Sequence, residues 1–496
     1  MTDAQYLAWL QSSGAVRCVL VEAEVRVGGV ETTRYLSSAN FITGASDSPA
    51  HRAYLAVVRT GVTITEQISL DGAAGLTWGD IEIGNEDGSR DSWLNDIWAN
   101  RAVRIYSGDA RWPRADFRLI FDGTLAGISS RERGTLNLAL RDKGQRLNTP
   151  ITENRLGGAT ENKDRLKPLC FGECHNIEPL LVDPTTLKFM VHDGPIEGII
   201  EVRDNGVPVG FTGNLANGTF TLASQPAGLV TVSVQGDKST GAWYAGVVWI
   251  HTIASLIQKI VTTYGKASSR FALSDIDGNS FSPFEAANLQ PVGLYLPERT
   301  NVLQACAGLA ASVGAQVVLN GVGQLRLVKI QLPAPGVPVN AGPGEMIERT
   351  LTVSQRPQVA AAVKIGYCKN WTVQTNLQSG IPEQHKNLFA LEWLTTTATN
   401  SGTAASYRLA IEPEQGDTLL LTEATAIAEA ARRLALWSVQ RTVYAFEGTA
   451  ALMLAGLGDP MTLTSTRFGL DAGKPGQIIS IKRDWIKCRT QFEVLT

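Results

Sequence analysis

Apolar and polar residues alternate with period two over much of this chain. Val19, Val21, Ala23, Val25 and Val27 share one face of the segment Val16 to Val27, and Tyr54 to Val58 and Val62 to Leu70 alternate in the same way. Such alternation predicts half-buried β-strands. Further strands are predicted at Trp78 to Ile83, Val103 to Tyr106, Arg118 to Phe121, Thr124 to Ser129 and Thr135 to Leu140. Asn85-Glu86-Asp87-Gly88 reads as a turn, followed by a short helix from Asp91 to Trp98. Strands this short and evenly spaced predict a small antiparallel barrel or sandwich. From Pro168 to Val234 the pattern stays β-like, punctuated by hairpin turns at Asp204-Asn205-Gly206 and Ala216-Asn217-Gly218.

The period changes in four places. Asp3 to Gln11 predicts a short helix capped by Thr2 or Asp3. Between Val247 and Tyr264, Ile250, Ile253, Leu256, Ile257 and Ile260 fall on one stripe, and Gly265 ends it. Asn301 to Val313 predicts a helix rich in small residues, followed by a hairpin of Gln316 to Leu319 and Leu325 to Ile330. Thr422 to Val439 predicts the strongest helix. Thr422 is its expected cap, and Arg432 and Arg433 are placed to complement its dipole. Strands then resume at Val443 to Phe446, Met461 to Ser465, Gln477 to Arg483 and Thr490 to Leu495.

Two hairpins look alike. Phe121-Asp122-Gly123-Thr124-Leu125-Ala126-Gly127-Ile128 precedes a charged turn and then Leu136, Leu138 and Leu140. Gly476-Gln477-Ile478-Ile479-Ser480-Ile481 precedes a polar turn and then Phe492 and Val494. The pattern admits either a duplicated barrel or two ordinary hairpins. The fold class expected is mainly β (α+β): several small β-barrel or sandwich modules, with a few packed helices. Four segments are expected. They are an N-terminal barrel over 1–155, a small β domain over 156–245, a helix-containing α+β domain over 246–345, and a β-rich domain over 346–496 with its helix at 422–440.

Composition narrows the function. The 496 residues are 44% apolar and 18% charged, with a net charge of −3. No basic excess supports a main task of gripping nucleic acid through its phosphates. A passage through which DNA slides is compatible, because near-neutral or acidic walls bind it weakly. The start of the chain lacks a secretory pattern, and no apolar run approaches the ~20 residues of a membrane helix. Synthesis in a cytoplasm and a soluble product are therefore expected. The six cysteines are mostly far apart and do not read as a disulfide framework.

The search for reaction chemistry yields little. Neither a nucleophile elbow nor a phosphate loop nor a zinc-protease helix motif occurs. The five histidines, His51, His175, His192, His251 and His385, are scattered. Cys170, Cys174 and His175 form the best metal candidate by spacing. With no second ligand pair nearby, two small buried side chains are the preferred reading, and no catalytic, cofactor or metal residue is assigned. Asp275-x-Asp277-Gly278-Asn279 starts like a calcium loop but lacks its distant glutamate, so a polar turn is preferred. Asp109 and Asp116 are formally possible glycosidase carboxylates, with nothing in their spacing to select them. Trp371, Trp393 and Trp437 are expected mainly as core or interface residues. Arg131 to Arg133 and Lys482 to Arg483 are expected at solvated hairpin tips.

Several stretches, in order, resemble tail-tip and baseplate-hub proteins of tailed bacteriophages and the related hub proteins of gene transfer agents. They are Ile83 to Asp91 with Trp98 to Val103; Arg165 to Gly172 with Asn176-Ile177-Glu178-Pro179 and Val191-His192-Asp193-Gly194; Thr300 to Leu303 through Gly314 to Gly323-Gln324-Leu325-Arg326; Val363 to Tyr367 with Asn370 to Val373; and Gly458 to Leu463 with Arg467 to Leu470. The resemblance implies a non-enzymatic hub with two tube-forming β domains and two peripheral domains, at the tail tip of a virion. It implies a homo-oligomer, most often a trimer whose two barrels per chain give a pseudo-sixfold ring. That ring would continue the tail tube, anchor a fibre or spike, and let DNA and the tape-measure protein pass. A distal tail ring would be its neighbour. Some tail-tip proteins carry iron–sulfur clusters, for which Cys170 and Cys174 would be the only adjacent thiols. Two other functions stay open: a distal tail or receptor-binding protein with a carbohydrate-recognising module near 168–245, and a cell-wall hydrolase.

Overall fold

A computed structural model describes residues 1–70, 76–239 and 249–496. The chain divides into two compact units. One comprises Met1–Gln145, Gln316–Gln358 and Gln440–Thr496; the other comprises Arg146–Ala315 and Val359–Val439. The units thus cut the chain at 145, 315, 358 and 439, where the sequence pattern suggested 155, 245 and 345. Pattern follows the chain linearly, whereas each unit is closed by strands or helices that return from distant sequence. The boundary expected at 245 and the helix start expected at Val247 lie outside the described residues. The protein is mainly β, as its alternation predicts.

The first unit is built on one 15-stranded sheet. Its strands include β1 (Arg17–Val27), β2 (Val30–Ser37), β3 (Val58–Gln67), β4 (Leu76–Gly84), β5 (Ala102–Asp109), β6 (Arg118–Ser129) and β7 (Thr135–Arg141). The remainder of the chain adds β8 (Thr352–Gln355), β9 (Val443–Gly448), β10 (Pro460–Leu463), β11 (Lys474–Asp484) and β12 (Arg489–Leu495). The order is β8-β9-β12-β11-β3-β4-β7-β6-β5-β1-β2, continued by Ala53–Ala56 and Phe41–Ile42, with β10 on the first part of β11. The two modules expected as separate barrels therefore share one sheet. Its core face carries Val62, Ile64, Ile81, Ile83, Leu125, Leu136, Leu138 and Leu140, covered in part by Tyr6 and Leu10 of the helix Asp3–Gln11. That helix begins where expected, because the Thr2 side chain accepts from Gln5 N and the Gln5 side chain accepts from Thr2 N.

The second unit holds a five-stranded sheet. Its order is Val207–Pro208, Ile196–Asp204, Val230–Asp237, Leu169–Ile177 and Gly293–Leu296. Its core contains Cys170, Cys174, Ile177, Phe220, Val232 and Val234. Helices cover Ile253–Thr263, Val302–Ala311 and Glu423–Trp437; the second and third are a few residues shorter than their periodicity suggests, and the first begins only at Ile253. Thr422 caps the last of these by accepting from Thr425 N. Arg432 and Arg433 serve a different helix from the one expected. Both pair with buried Glu429, and they donate to Val313 O and Ala311 O at the C-terminal end of Val302–Ala311. Burial raises the Glu429 carboxyl, but the two guanidiniums outweigh it and hold the group below its ordinary value.

Candidate functional site

The first unit contains a structural duplication that the sequence only hinted at. In the hairpin β6–β7, Leu125 faces Leu140, Ala126 is bulged out, and Gly127 faces Ala139. In β11–β12, Ile478 faces Val494, Ile479 is bulged out, and Ser480 faces Glu493. One extra residue at the same register bends both ribbons alike. The neighbours match as well. Val103 of β5 faces Gly123, and Met461 of β10 faces Gly476. Asp80 of β4 faces Ala139, and Ala445 of β9 faces Glu493. Thr63 of β3 faces Asp80, and Thr352 of β8 faces Ala445.

The connections leading into β5 and β10 repeat the same hydrogen bonds. Asn100 N donates to Leu125 O at 2.7 Å and Leu125 N to Arg101 O at 2.8 Å. Correspondingly, Gly458 N donates to Ile478 O at 2.8 Å and Ile478 N to Asp459 O at 3.0 Å. Asn100 and Gly458 both have positive φ. Gly123 and Gly476 are equivalent for a steric reason: a Cβ would lie 2.5 Å from Arg141 O at the first and 2.6 Å from Leu495 O at the second. Two five-stranded modules, β3-β4-β7-β6-β5 and β8-β9-β12-β11-β10, thus occupy one sheet.

The modules meet where β11 pairs with β3, with Ser480 opposite Gln67, Ile481 opposite Glu66 and Lys482 opposite Thr65. The seam is fixed by an ion pair on the core face, where Arg483 and Glu66 approach to 2.9 Å with side chains 9% and 6% exposed. Arg483 also donates to Met453 O and Ala455 O, and Glu66 accepts from Gly321 N. Arg483 is therefore not at the solvated tip expected for it. Strand alternation turns Lys482 outward and Arg483 inward.

Among the described residues, each partner in this seam has an equivalent with no strand on its outer side. The counterpart of Ser480-Ile481-Lys482 is Gly127-Ile128-Ser129. Its edge is beyond the reach of β5, whose pairing with β6 ends at Thr124. Ile481 is fully buried by the seam, whereas Ile128 is only partly buried. The counterpart of β3 is β8, the last strand at its end of the sheet, and all four of its residues are exposed. An edge strand with free N–H and C=O groups is a template for pairing.

The outward face across the seam is polar. Thr65, Gln67, Ser480, Lys482, Gln491, Glu493 and Glu447 surround a shallow depression of about 520 Å³. Glu447 has its equivalent at Glu82, each at the same register in its module.

The residues singled out for chemistry are dispersed. Cys170 and Cys174 are fully buried in the core of the second unit, where burial pushes the Cys174 thiol up. His175 instead lines a cavity of about 300 Å³ with Glu201, Arg203 and Asn370, and pairs with Glu173 at 3.3 Å. Among the described residues no three of His, Cys, Asp and Glu converge as metal ligands. All six cysteines are free thiols. Asp277 caps the helix Gly278–Ala287 through Asn279 N, and Asp275 accepts from Ala272 N. Asp109 is buried and accepts from Trp9 Nε1, Val16 N and Arg111. Those bonds, Arg111 foremost, hold its carboxyl well below the usual range. Asp116 lies in the short turn Arg114–Asp116. Trp371 and Trp393 flank Lys369 at 4.5 and 4.9 Å from their ring centres, while Trp437 ends the helix Glu423–Trp437. Arg131 reaches Asp80 from an exposed turn.

Sequence reasoning missed a buried polar group in the second unit. Lys259 Nζ lies 2.9 Å from Asp237 Oδ2, Tyr264 donates to the same oxygen at 2.8 Å, and His192 Nε2 is 3.6 Å from Asp237 Oδ1. His192 Nδ1 accepts from Cys170 N. Burial raises the Asp237 carboxyl, but His192 and Lys259 outweigh it and hold the group below its ordinary range. His192 stands in the Val191-His192-Asp193-Gly194 motif; its partners, 45 and more residues onward, carry no local signal. Among the described residues no helix is long and apolar enough to cross a membrane.

No family model and no curated protein matches this chain. Solved structures similar to it include the 43 kDa tail protein of prophage MuSo2 from Shewanella oneidensis, at 11% identity and a TM-score of 0.41, covering 96% of this chain and 98% of that one. A chain of a native gene transfer agent virion matches at 15% identity and a TM-score of 0.45, over 71% of this chain and 91% of that one. A prophage tail protein from Listeria monocytogenes matches at 9% identity and a TM-score of 0.42, over 96% and 94%. These are proteins of the kind the sequence resembles. A likeness of this degree leaves function to be read from the chain's own geometry.

Proposed function

We propose that this protein is a non-catalytic ring subunit of a phage-type tail tip, in which copies join by repeating between chains the strand pairing that joins the two modules within a chain. The observation that carries this reading is the pair of vacant equivalents. The β11–β3 seam is heterologous, and its counterparts, the Gly127–Ser129 edge of β6 and the strand β8, each have no partner strand on their outer side among the described residues. Pairing β8 of one copy with that edge of the next extends the sheet, and a closing rotation gives a ring. Applying the seam's register places Gln355 of one copy opposite Ser129 of the next, as Thr65 lies opposite Lys482. Three chains would bring six modules together, the stoichiometry that the resemblance to hub proteins implies.

The outward polar face is then the candidate wall of a passage. Glu82 and Glu447 would recur around it as carboxylates at equivalent heights, a lining that repels phosphates and so lets DNA slide without being gripped. Other tail proteins, among them a distal tail ring, a tape-measure protein and a fibre or spike, are the partners of such a ring. The test is the mass of the purified full chain by light scattering at micromolar concentration. A mass near three times 53.3 kDa is expected, falling to one chain when Ile128→Pro removes a donor from the outer side of β6. A wild-type monomer, or a trimer indifferent to both Ile128→Pro and a Val353→Pro variant, overturns the reading.

A further inference from the structure

We propose that the second unit carries a binding site for a phosphoryl group borne on a hydroxyl-rich small moiety, such as a sugar or polyol phosphate. The site is a cavity of about 480 Å³ beneath the segment 149–154, at the end of the helix Ile253–Thr263 and beside Arg299. It does not depend on ring formation.

The charge pattern selects an anion. Lys266, Arg270 and Arg299 all line the cavity, and none makes an ion pair among the described residues. Two carboxylates share the lining. Asp193 is already engaged, accepting from Lys167 Nζ at 2.9 Å and Asn154 Nδ2 at 2.7 Å. Glu153 is then the one uncompensated acid, so three cations against one carboxylate leave a local excess of +2 in a chain whose net charge is −3. Solvated like charges repel and spread apart when nothing anionic gathers them. Here the main chain holds them together: Ile151 N donates to Thr300 O, Gly265 N to Ile151 O, and Arg146 to Arg270 O. The C-terminal end of the helix opposes an anion with about half an elementary charge, less than the cationic excess.

Volume and lining select the remainder of the ligand. The cavity exceeds the space one phosphate fills, and its lining is polar, with Thr149, Thr152, Asn154 and Thr263 among its residues. Glu153 can accept from a ligand hydroxyl as the cations hold the phosphoryl oxygens. A concave pocket with few cations suits a small phosphoryl ligand better than the backbone of a nucleic acid, which calls for rows of cations along a groove.

Calorimetric titration of the full chain with glucose 6-phosphate, glucose, inorganic phosphate and a short single-stranded oligonucleotide tests the proposal. Glucose 6-phosphate is expected to bind and glucose not to. Inorganic phosphate should bind more weakly than the sugar phosphate. The double variant Lys266→Gln/Arg299→Gln, at exposed positions that leave the fold intact by circular dichroism, should weaken glucose 6-phosphate at least tenfold. No binding of glucose 6-phosphate, or equal binding by wild type and double variant, overturns the site. Inorganic phosphate binding as tightly as glucose 6-phosphate overturns the polyol part, and a tighter oligonucleotide replaces the ligand class with nucleic acid.

Discussion

Removing the carboxylate at the seam should cost the first unit much of its stability. Glu66 and Arg483 approach to 2.9 Å with almost no exposure, so Glu66→Ala leaves a buried guanidinium without its counter-charge. Breaking such a pair from one side costs about 3–5 kcal/mol. Arg483 keeps Met453 O and Ala455 O as acceptors, which places the loss near the lower end, about 3 kcal/mol. For a unit of roughly 150–250 residues that lowers the midpoint of thermal unfolding by about 6–12 °C. Glu66→Gln preserves an acceptor for Gly321 N and should lose less, about 1.5–3 kcal/mol. Glu66→Leu combined with Arg483→Met removes both charges and should recover at least half of the Glu66→Ala loss. Differential scanning calorimetry, following the transition of the first unit, supplies the numbers. A Glu66→Ala loss under about 1 kcal/mol, or a double variant no better than the single, would refute the seam as a buried electrostatic clasp.

Two more outcomes follow from the duplication and the buried acids. Gly123→Ala and Gly476→Ala should destabilise the first unit to similar extents, about 1–3 kcal/mol each by denaturant unfolding, because a Cβ meets an equivalent carbonyl oxygen at both positions; a neutral result at either separates the modules. Asp109 and Asp237 have folded-state carboxyls held below their unfolded values. Their stabilisation is therefore fully present above pH ~4 and is lost as pH falls below it. Asp109→Asn should flatten the acid limb of a stability–pH curve, and an unchanged limb counts against that assignment.

The sequence made some of this legible and hid the rest for physical reasons. Strands such as Val58–Gln67 and Arg118–Ser129 show through because burying one face of a sheet imposes a period of two. The likeness of Gly123-Thr124-Leu125 to Gly476-Gln477-Ile478 was visible, but the shared bulge that gives it meaning exists only in register with β7 and β12. Helices Gly278–Ala287, Glu383–Ala390 and Ser401–Tyr407 leave only a faint stripe in the sequence, since each buries only one or two side chains. A dipole argument is local and places Arg432 and Arg433 with their own helix, whereas the carbonyls they satisfy come more than a hundred residues earlier. Glu66 and Arg483, 417 positions apart, could not be paired from pattern at all. The cations Lys266, Arg270 and Arg299 carry no local signal, because only the fold sets them around one cavity.

Oxidative cross-linking of the double variant Ser129→Cys/Gln355→Cys tests the central claim most directly. Residues directly opposite in an antiparallel pair have Cβ atoms about 4.5–5.5 Å apart, near enough for a disulfide with small backbone adjustment. Strand pairing between copies predicts a ladder on a non-reducing gel that stops at a closed trimer, with each single variant staying monomeric on the gel. Monomer alone from the double variant, while the native mass in solution is that of an oligomer, would contradict it.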